Sequence, residues 1–285
     1  MTVVLLVLAG ALAHAAWNLV VKRAALGGPL FAWLTVVVTT VLLLPVGVVA
    51  AVADPPSWPD LMQAAGVSGI LHVAYFLSLQ AGYRAADVSV VYPLARGTGP
   101  LLTVLLAVLL LGERPGVLGF AGAAVVVAGV LVIGLAGRRP AGARRRAGVL
   151  WGLLVGVVIA AYTLWDAHAV TALALSPVLL HAGTNAVEAL LLTPVAWRRR
   201  STVGAVLREH WREVLAVAVL SPLAYILVLF AMRLAPVSIV APAREVSVVV
   251  VGLAGWLLFK EPHPVARLGG AVIVLAGVAL LALSR

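Results

Sequence analysis

The sequence predicts an all-α integral membrane protein whose ten transmembrane helices form two inverted five-helix repeats. Three observations predict it: ten apolar runs, an internal duplication, and basic residues confined to alternate loops. Of 285 residues, 64% are hydrophobic and 11% charged, too few polar groups to cover a water-soluble surface. A spanning helix needs about 20 largely apolar residues, and ten runs supply them. They are continuously apolar rather than alternating, which argues against a barrel. With no cysteine present, disulfides, thiol catalysis and cysteine-ligated metals are excluded.

Taken in order, the first run (2–21) superficially resembles a cleavable leader, with Ala13-His14-Ala15 as a cleavage site. It lacks a basic start, and Lys22-Arg23 would hold its far end inside, so it is expected to be a retained helix. Runs two and three (29–52, 61–82) flank VADPPSWPD, and runs four and five (88–111, 116–137) flank the turn LGERP. A basic linker, RRPAGARRR (138–146), divides an N-terminal half (1–137) from a C-terminal half (147–285). Run six (147–167) carries Gly148, Gly152 and Gly156, a smooth stripe for close helix packing. Gly116, Gly119 and Gly122 on run five are read the same way. Run seven (177–197) has a polar face, and run eight (214–232) follows a basic loop, 198–212. Runs nine and ten (237–258, 265–283) flank FKEPHP. Connections are short, leaving no place for a soluble domain.

The duplication is specific. AYFLSLQAGYRAADVSVVYPLAR, GER and GAAVVVAGV in 74–130 recur as AYILVLFAMRLAPVSIVAPAR, KEP and GAVIVLAGV in 224–278. In both copies an arginine (Arg96, Arg244) precedes a glutamate (Glu113, Glu261) by 17 residues, and a glycine (Gly129, Gly277) follows by 16. AAWNLVVKRA of the first run likewise aligns with AAYTLWDAHA at 160–169. Five spans per half force the halves into opposite orientations. Duplicated all-membrane chains of this kind point to secondary transporters, with the substrate between the repeats.

The formal charge of +10 reflects orientation rather than nucleic-acid binding. Of 20 basic residues, 15 lie in odd-numbered loops: Lys22, Arg23, Arg84, Arg138, Arg139, Arg144 to Arg146, Arg198 to Arg200, Arg208, Arg212, Lys260 and Arg267. Arg114, Arg233 and Arg285 lie on the other face, and Arg96 and Arg244 lie within helices. The positive-inside rule then places odd loops in the cytoplasm and both termini outside the cytoplasmic membrane. Basic loops can also touch anionic lipid.

The paired patterns LLLGERPGVLGFAGAAVVVAGV (109–130) and LLFKEPHPVARLGGAVIVLAGV (257–278), with HAAWNLVVK (14–22), resemble the drug/metabolite transporter superfamily. Within it they resemble the EamA-type permeases of ten helices. The resemblance covers essentially the full chain and implies transport of metabolites, amino acids, sugar derivatives or drugs. Many such proteins have basic residues after helix two and cytoplasmic termini. Here the charges point the other way.

Ionisable groups in a membrane interior are candidate sites. Arg96 and Arg244, just beyond Pro93 and Pro242, offer guanidiniums for a carboxylate, phosphate or phosphonate; interfacial snorkelling is the competing role. Glu245 beside Arg244 can join a local charge network. His181, Thr184, Asn185 and Glu188 share one face of helix seven at i, i+3, i+4 and i+7. Glu188 there, with His181 behind it, is a candidate for proton coupling or for structural pairing. His14, Trp17 and Asn18 share one face of helix one, and the repeat equivalents of Trp17 and Asn18 are Tyr162 and Thr163. Tyr75, with His72, and its equivalent Tyr225 form a weaker set. Trp17, Asn18, His14, Tyr75, Tyr225 and Asn185 join the arginines as substrate-binding candidates. Glu113 and Glu261 are expected to fix their turns.

These residues point to a secondary active transporter, an exporter or antiporter of small metabolites or amphipathic compounds, with protons as the expected exchange partner. No phosphate-binding G-x-x-x-x-G-K-S/T loop suggests a pump, and no H-E-x-x-H-like cluster suggests an intramembrane lipid-modifying enzyme. A flippase for phospholipid or a lipid-linked sugar remains the alternative, because arginines serve phosphate as well as carboxylate. The expected partners are a small molecule, membrane lipid and protons, with no cofactor or metal, in a monomer or weak homodimer.

Overall fold

A computed structural model describes residues 1–24, 28–135, 143–259 and 264–284. The helices are α1 (Thr2–Arg23), α2 (Pro29–Ala53), α3 (Trp58–Ala85), α4 (Val88–Leu111), α5 (Gly116–Leu135) and α6 (Ala143–Thr171). They continue as α7 (Pro177–Arg198), α8 (Arg200–Leu234), α9 (Val237–Ala243), α10 (Val246–Phe259) and α11 (Pro264–Leu283). Among the described residues, nine helices are long and apolar enough to cross a membrane, α9 and the start of α10 counting as one. Leu268–Leu283 adds a shorter apolar helix. Prolines in the first turn start α2, α3 and α7, where no helical N–H is lost. Gly112, at φ 66°, ends α4 in the left-handed conformation.

Three boundaries differ from the sequence expectation. α6 begins at Ala143, so Arg144 to Arg146 of the linker form its first turn, while 138–142 lie outside the described residues. The expected basic loop 198–212 is mostly helical: α8 starts at Arg200 and bends at His210 (φ −120°, ψ 23°). Its basic residues alternate with Val203 and Val206, which pack on Phe31, Leu34, Val214 and Val217, so one face has an apolar partner.

The ninth run breaks between α9 and α10. Pro242 has no N–H to give the preceding turn, and the next bonds tighten to three-residue spacing. Glu245 N donates to Pro242 O (3.0 Å), Ser247 N to Arg244 O (3.1 Å) and Val248 N to Glu245 O (2.9 Å). The break therefore carries Arg244 and Glu245. Its counterpart α4 holds Pro93 and Arg96 yet runs unbroken.

The inverted relation is visible in the α5–α11 pair. A Cβ on Gly122 would stand 2.9 Å from the Gly277 carbonyl oxygen, and one on Gly129 would stand 2.8 Å from that of Gly270. One register rises as the other falls, so the helices are antiparallel and their backbones touch. The remaining packing respects the exchange of halves: α1 lies on α8 as α6 lies on α3, and α2 lies on α7. The stripe on α6 is a packing surface, as expected: Gly148, Gly152 and Gly156 meet Val90, Leu94 and Thr98 of α4. The stripe on α5 is different. Gly116 has open space and φ 66°, Gly119 faces its own Pro115, and only Gly122 meets another helix.

Candidate functional site

The α9–α10 break brings the two repeat-related arginines to one carboxylate. Arg96 Nε lies 3.0 Å from Glu245 Oε2, and Arg244 Nε lies 3.7 Å from Glu245 Oε1. Both arginines are 8% exposed and Glu245 is 1% exposed, so all three charges are withdrawn from lipid and water alike. Arg96 Nη2 also donates to Ser247 Oγ (3.3 Å), and Arg244 Nη2 donates to Thr163 Oγ1 (3.2 Å). Neither ion pair is aligned as a hydrogen bond, so both Nε–H groups and both Glu245 oxygens stay buried without one. A guanidinium has five N–H donors. Two of them, against one carboxylate, leave a positive excess and donors to spare. Glu245 has no counterpart in the first repeat, where the equivalent position is Gly97.

Beside this triad stands a ring cluster. Tyr162 of α6 stacks near His72 (4.3 Å between centroids) and meets Tyr75 (5.8 Å) and Tyr225 (6.3 Å) edge-on. The Arg244 guanidinium lies 6.0 Å from the Tyr162 ring centre, within cation–π range. Tyr225, the weaker candidate from the sequence, has a definite partner: its hydroxyl donates to Asp166 Oδ2 at 2.6 Å. Tyr75, its repeat equivalent, instead packs with Leu71 and Leu79 on Ala95 and Ile159.

Asp166 is the residue that the sequence reading missed. It is fully buried, and its Oδ1 has no hydrogen-bond partner. The helix was expected to end at 167, which placed an aspartate at an interface; α6 continues to Thr171 and encloses it. The repeat alignment held a signal, since Asp166 falls opposite Val21 of α1, an unprovoked acid in an apolar helix. Ser247, which binds Arg96, gave no signal of its own.

On α7, Asn185 Nδ2 donates to the His181 carbonyl (2.8 Å) and lies 3.1 Å from His181 Nε2. The His181 ring meets Tyr225 at 5.3 Å. Both residues therefore join the ring cluster rather than the arginines. Glu188 is half-buried, within electrostatic reach of His72 and Asp166.

On α1, Asn18 Nδ2 donates to the His14 carbonyl (2.7 Å), a bond within its own helix. His14 lies in the field of Arg96 and Arg244 and touches Trp17 edge-on (5.1 Å). Trp17 packs with Phe31, Leu34, Val214 and Val217, and its Nε1 is buried without a partner. Of the α1 set, His14 is the one the fold brings to the arginines.

Glu113 does more than fix its own turn. Its Oε1 accepts from Val237 N (2.8 Å) and its Oε2 from Ser238 N (2.9 Å), capping α9 of the opposite repeat. Glu261 lies outside the described residues. A cavity of about 490 Å³ opens beside this cap, lined in part by Glu113, Ala167, His168, Thr171, Arg233 and Val237. Neither Arg96 nor Arg244 lines it.

The sequence profile of the EamA-like transporter family matches residues 1–135 and 146–283. A solved structure titled only "Crystal structure of protein" superposes with a TM-score of 0.77 at 19% identity, over 99% of this chain and 96% of that one. At that identity the likeness shows the fold alone. No curated protein sequence matches.

Proposed function

The chain belongs to the EamA-like transporter family, and from that premise we propose a secondary active transporter of small anionic or amphipathic metabolites. The family makes it a multi-pass membrane transporter of the drug/metabolite superfamily. The substrate's anionic group binds Arg96 and Arg244 between the repeats, and alternating access follows from rocking one repeat against the other. The observation that carries this reading is the shared Glu245. Two guanidiniums from opposite repeats converge on a single carboxylate, at 3.0 and 3.7 Å, with Nε–H donors unbonded. A buried pair of guanidiniums held by one carboxylate keeps N–H donors in reserve for a second anion. His14 and Tyr162 flank the bound group. Glu188 and His181 couple transport to protons in this reading. The basic odd loops face the cytoplasm, with both termini outside.

Metabolite profiling of a deletion strain identifies the anion whose level changes, and reconstituted protein then reports its flux. Arg96→Ala and Arg244→Ala are each expected to abolish transport while leaving the protein inserted and monodisperse. Near-normal affinity in either variant would make the arginines structural and remove the anionic-substrate reading. A changed lipid profile in the deletion strain, with no soluble metabolite altered, would replace transport of a soluble anion by lipid flipping.

A further inference from the structure

Apart from the arginine triad, the membrane interior holds a second buried carboxyl that no step above uses. We propose that Asp166, bonded by the Tyr225 hydroxyl, is a proton-binding site of the transport cycle, separate from Glu188.

The geometry supports this in four ways. First, Asp166 is fully buried and, among the described residues, no lysine or arginine pairs with it. A carboxyl taken out of water without an ion pair is costly to keep ionised, and proteins keep such groups where proton binding is useful. Second, the site accommodates both protonation states. Ionised, Oδ2 accepts the 2.6 Å bond from Tyr225. Protonated, the buried Oδ1, which has no hydrogen-bond partner, can carry the proton. Third, the Tyr225 hydroxyl fixes the carboxyl in position, and the side chain is closed off from solvent. Fourth, the 490 Å³ cavity lies close by along α6, where Ala167, His168 and Thr171, within two turns of Asp166, line it.

The neighbouring helices are accounted for. α3 contributes Ser68 and His72, whose side chains stand 3.3 Å apart, a short link for proton exchange. α8 contributes Tyr225, and α7 contributes His181 against the Tyr225 ring and Glu188 within electrostatic reach. The α9–α10 break contributes Arg244, whose contact Thr163 lies one turn from Asp166 on α6. α4 packs on α6 and carries Arg96, which is already held by Glu245. The site rests on the transporter reading only for its place in a cycle; proton binding itself needs no substrate.

Infrared difference spectra of the purified full-length protein, recorded between acid and alkaline buffer, test this directly. The wild type is expected to show a protonated-carboxyl band that disappears in alkali and shifts in heavy water. Asp166→Asn should lose that band, whereas Glu188→Gln should retain it. Tyr225→Phe, which keeps the ring and so the packing, should move the band to higher frequency by removing one hydrogen bond. The proposal is overturned if the band retained in Glu188→Gln survives in Asp166→Asn or stays fixed in Tyr225→Phe. Should Asp166→Asn fail to fold, the Tyr225→Phe shift decides alone. Failure of the anion reading leaves a different trace: Arg96→Ala transports normally while the Asp166 band persists.

Discussion

Arg96 of the first repeat and Glu245 of the second meet at 3.0 Å, at the one place where the duplicated helices differ most. α4 passes its arginine unbroken, whereas the α9–α10 break turns both Arg244 and Glu245 to the same point. The halves are thereby tied by charge as well as by packing. Removing the acid alone leaves two buried cations unopposed. Glu245→Gln is therefore expected to destabilise the protein by about 3–5 kcal/mol. Combining it with Arg96→Gln should recover a large part of that loss. Thermal unfolding of the single and double variants in detergent measures it, and equal melting temperatures for Glu245→Gln and wild type would refute the coupling.

The α5–α11 contact gives a second prediction, on packing. Gly129→Ala places a methyl 2.8 Å from the Gly270 carbonyl oxygen, where the backbone cannot retreat cheaply. Overpacking of this kind costs about 1–3 kcal/mol. Gly204 on α8 has nothing within 4 Å, so Gly204→Ala should instead be neutral or stabilising by up to about 1 kcal/mol. Melting curves of the two variants should move in opposite directions or separate clearly. Equal shifts would mean that the glycines of α5 are not a contact surface.

The fold was legible because spans and repeats are written in composition and spacing. Ten apolar runs, and arginine and glutamate at a fixed interval in both halves, require no knowledge of side-chain contacts. The site was only half legible. The equivalence of Arg96 and Arg244 marked them as a pair, but their common partner depended on a break in one helix that the other copy lacks. Asp166 was hidden by a boundary placed four residues early, which turned a buried acid into an apparent interfacial one. Glu113 was misjudged in reach, because its partners, Val237 N and Ser238 N, are backbone groups and leave no mark in the sequence.

That cap yields a third prediction. The α9 helix has 7 residues, so its first N–H groups form a large share of its bonding. Glu113→Ala leaves two of them without their carboxylate and should cost about 1 kcal/mol, the usual worth of a helix cap. Glu113→Gln keeps one acceptor and should cost less. Hydrogen exchange at Val237 and Ser238 reports the loss locally, and unchanged protection in Glu113→Ala would show that the cap contributes nothing.

Orientation can be read from fusions. With 15 basic residues in odd loops and 3 on the other face, a reporter fluorescent only in the cytoplasm should stay dark when fused after Arg285. The same reporter inserted between Arg200 and Arg208 should be bright. A bright C-terminal fusion would reverse the orientation and leave the fold untouched.

The last prediction concerns the sense of coupling. With Asp166 and Glu245 ionised, the two arginines are balanced by two buried carboxylates. When Asp166 holds a proton, the same interior carries a positive excess and binds an anion more tightly. By linkage, the anion then strengthens proton binding in equal measure. Joint occupancy of this kind favours movement of proton and anion in the same direction over the exchange expected from sequence alone. In liposomes, an imposed proton gradient should therefore drive the anion down the gradient with the proton. Asp166→Asn, fixed in a neutral form, should keep binding yet lose the response to the gradient. Glu188→Gln distinguishes the two acids: loss of the pH response there, with Asp166→Asn unaffected, would assign coupling to α7. Anion flux against the direction of proton flow would establish exchange and remove the linkage argument.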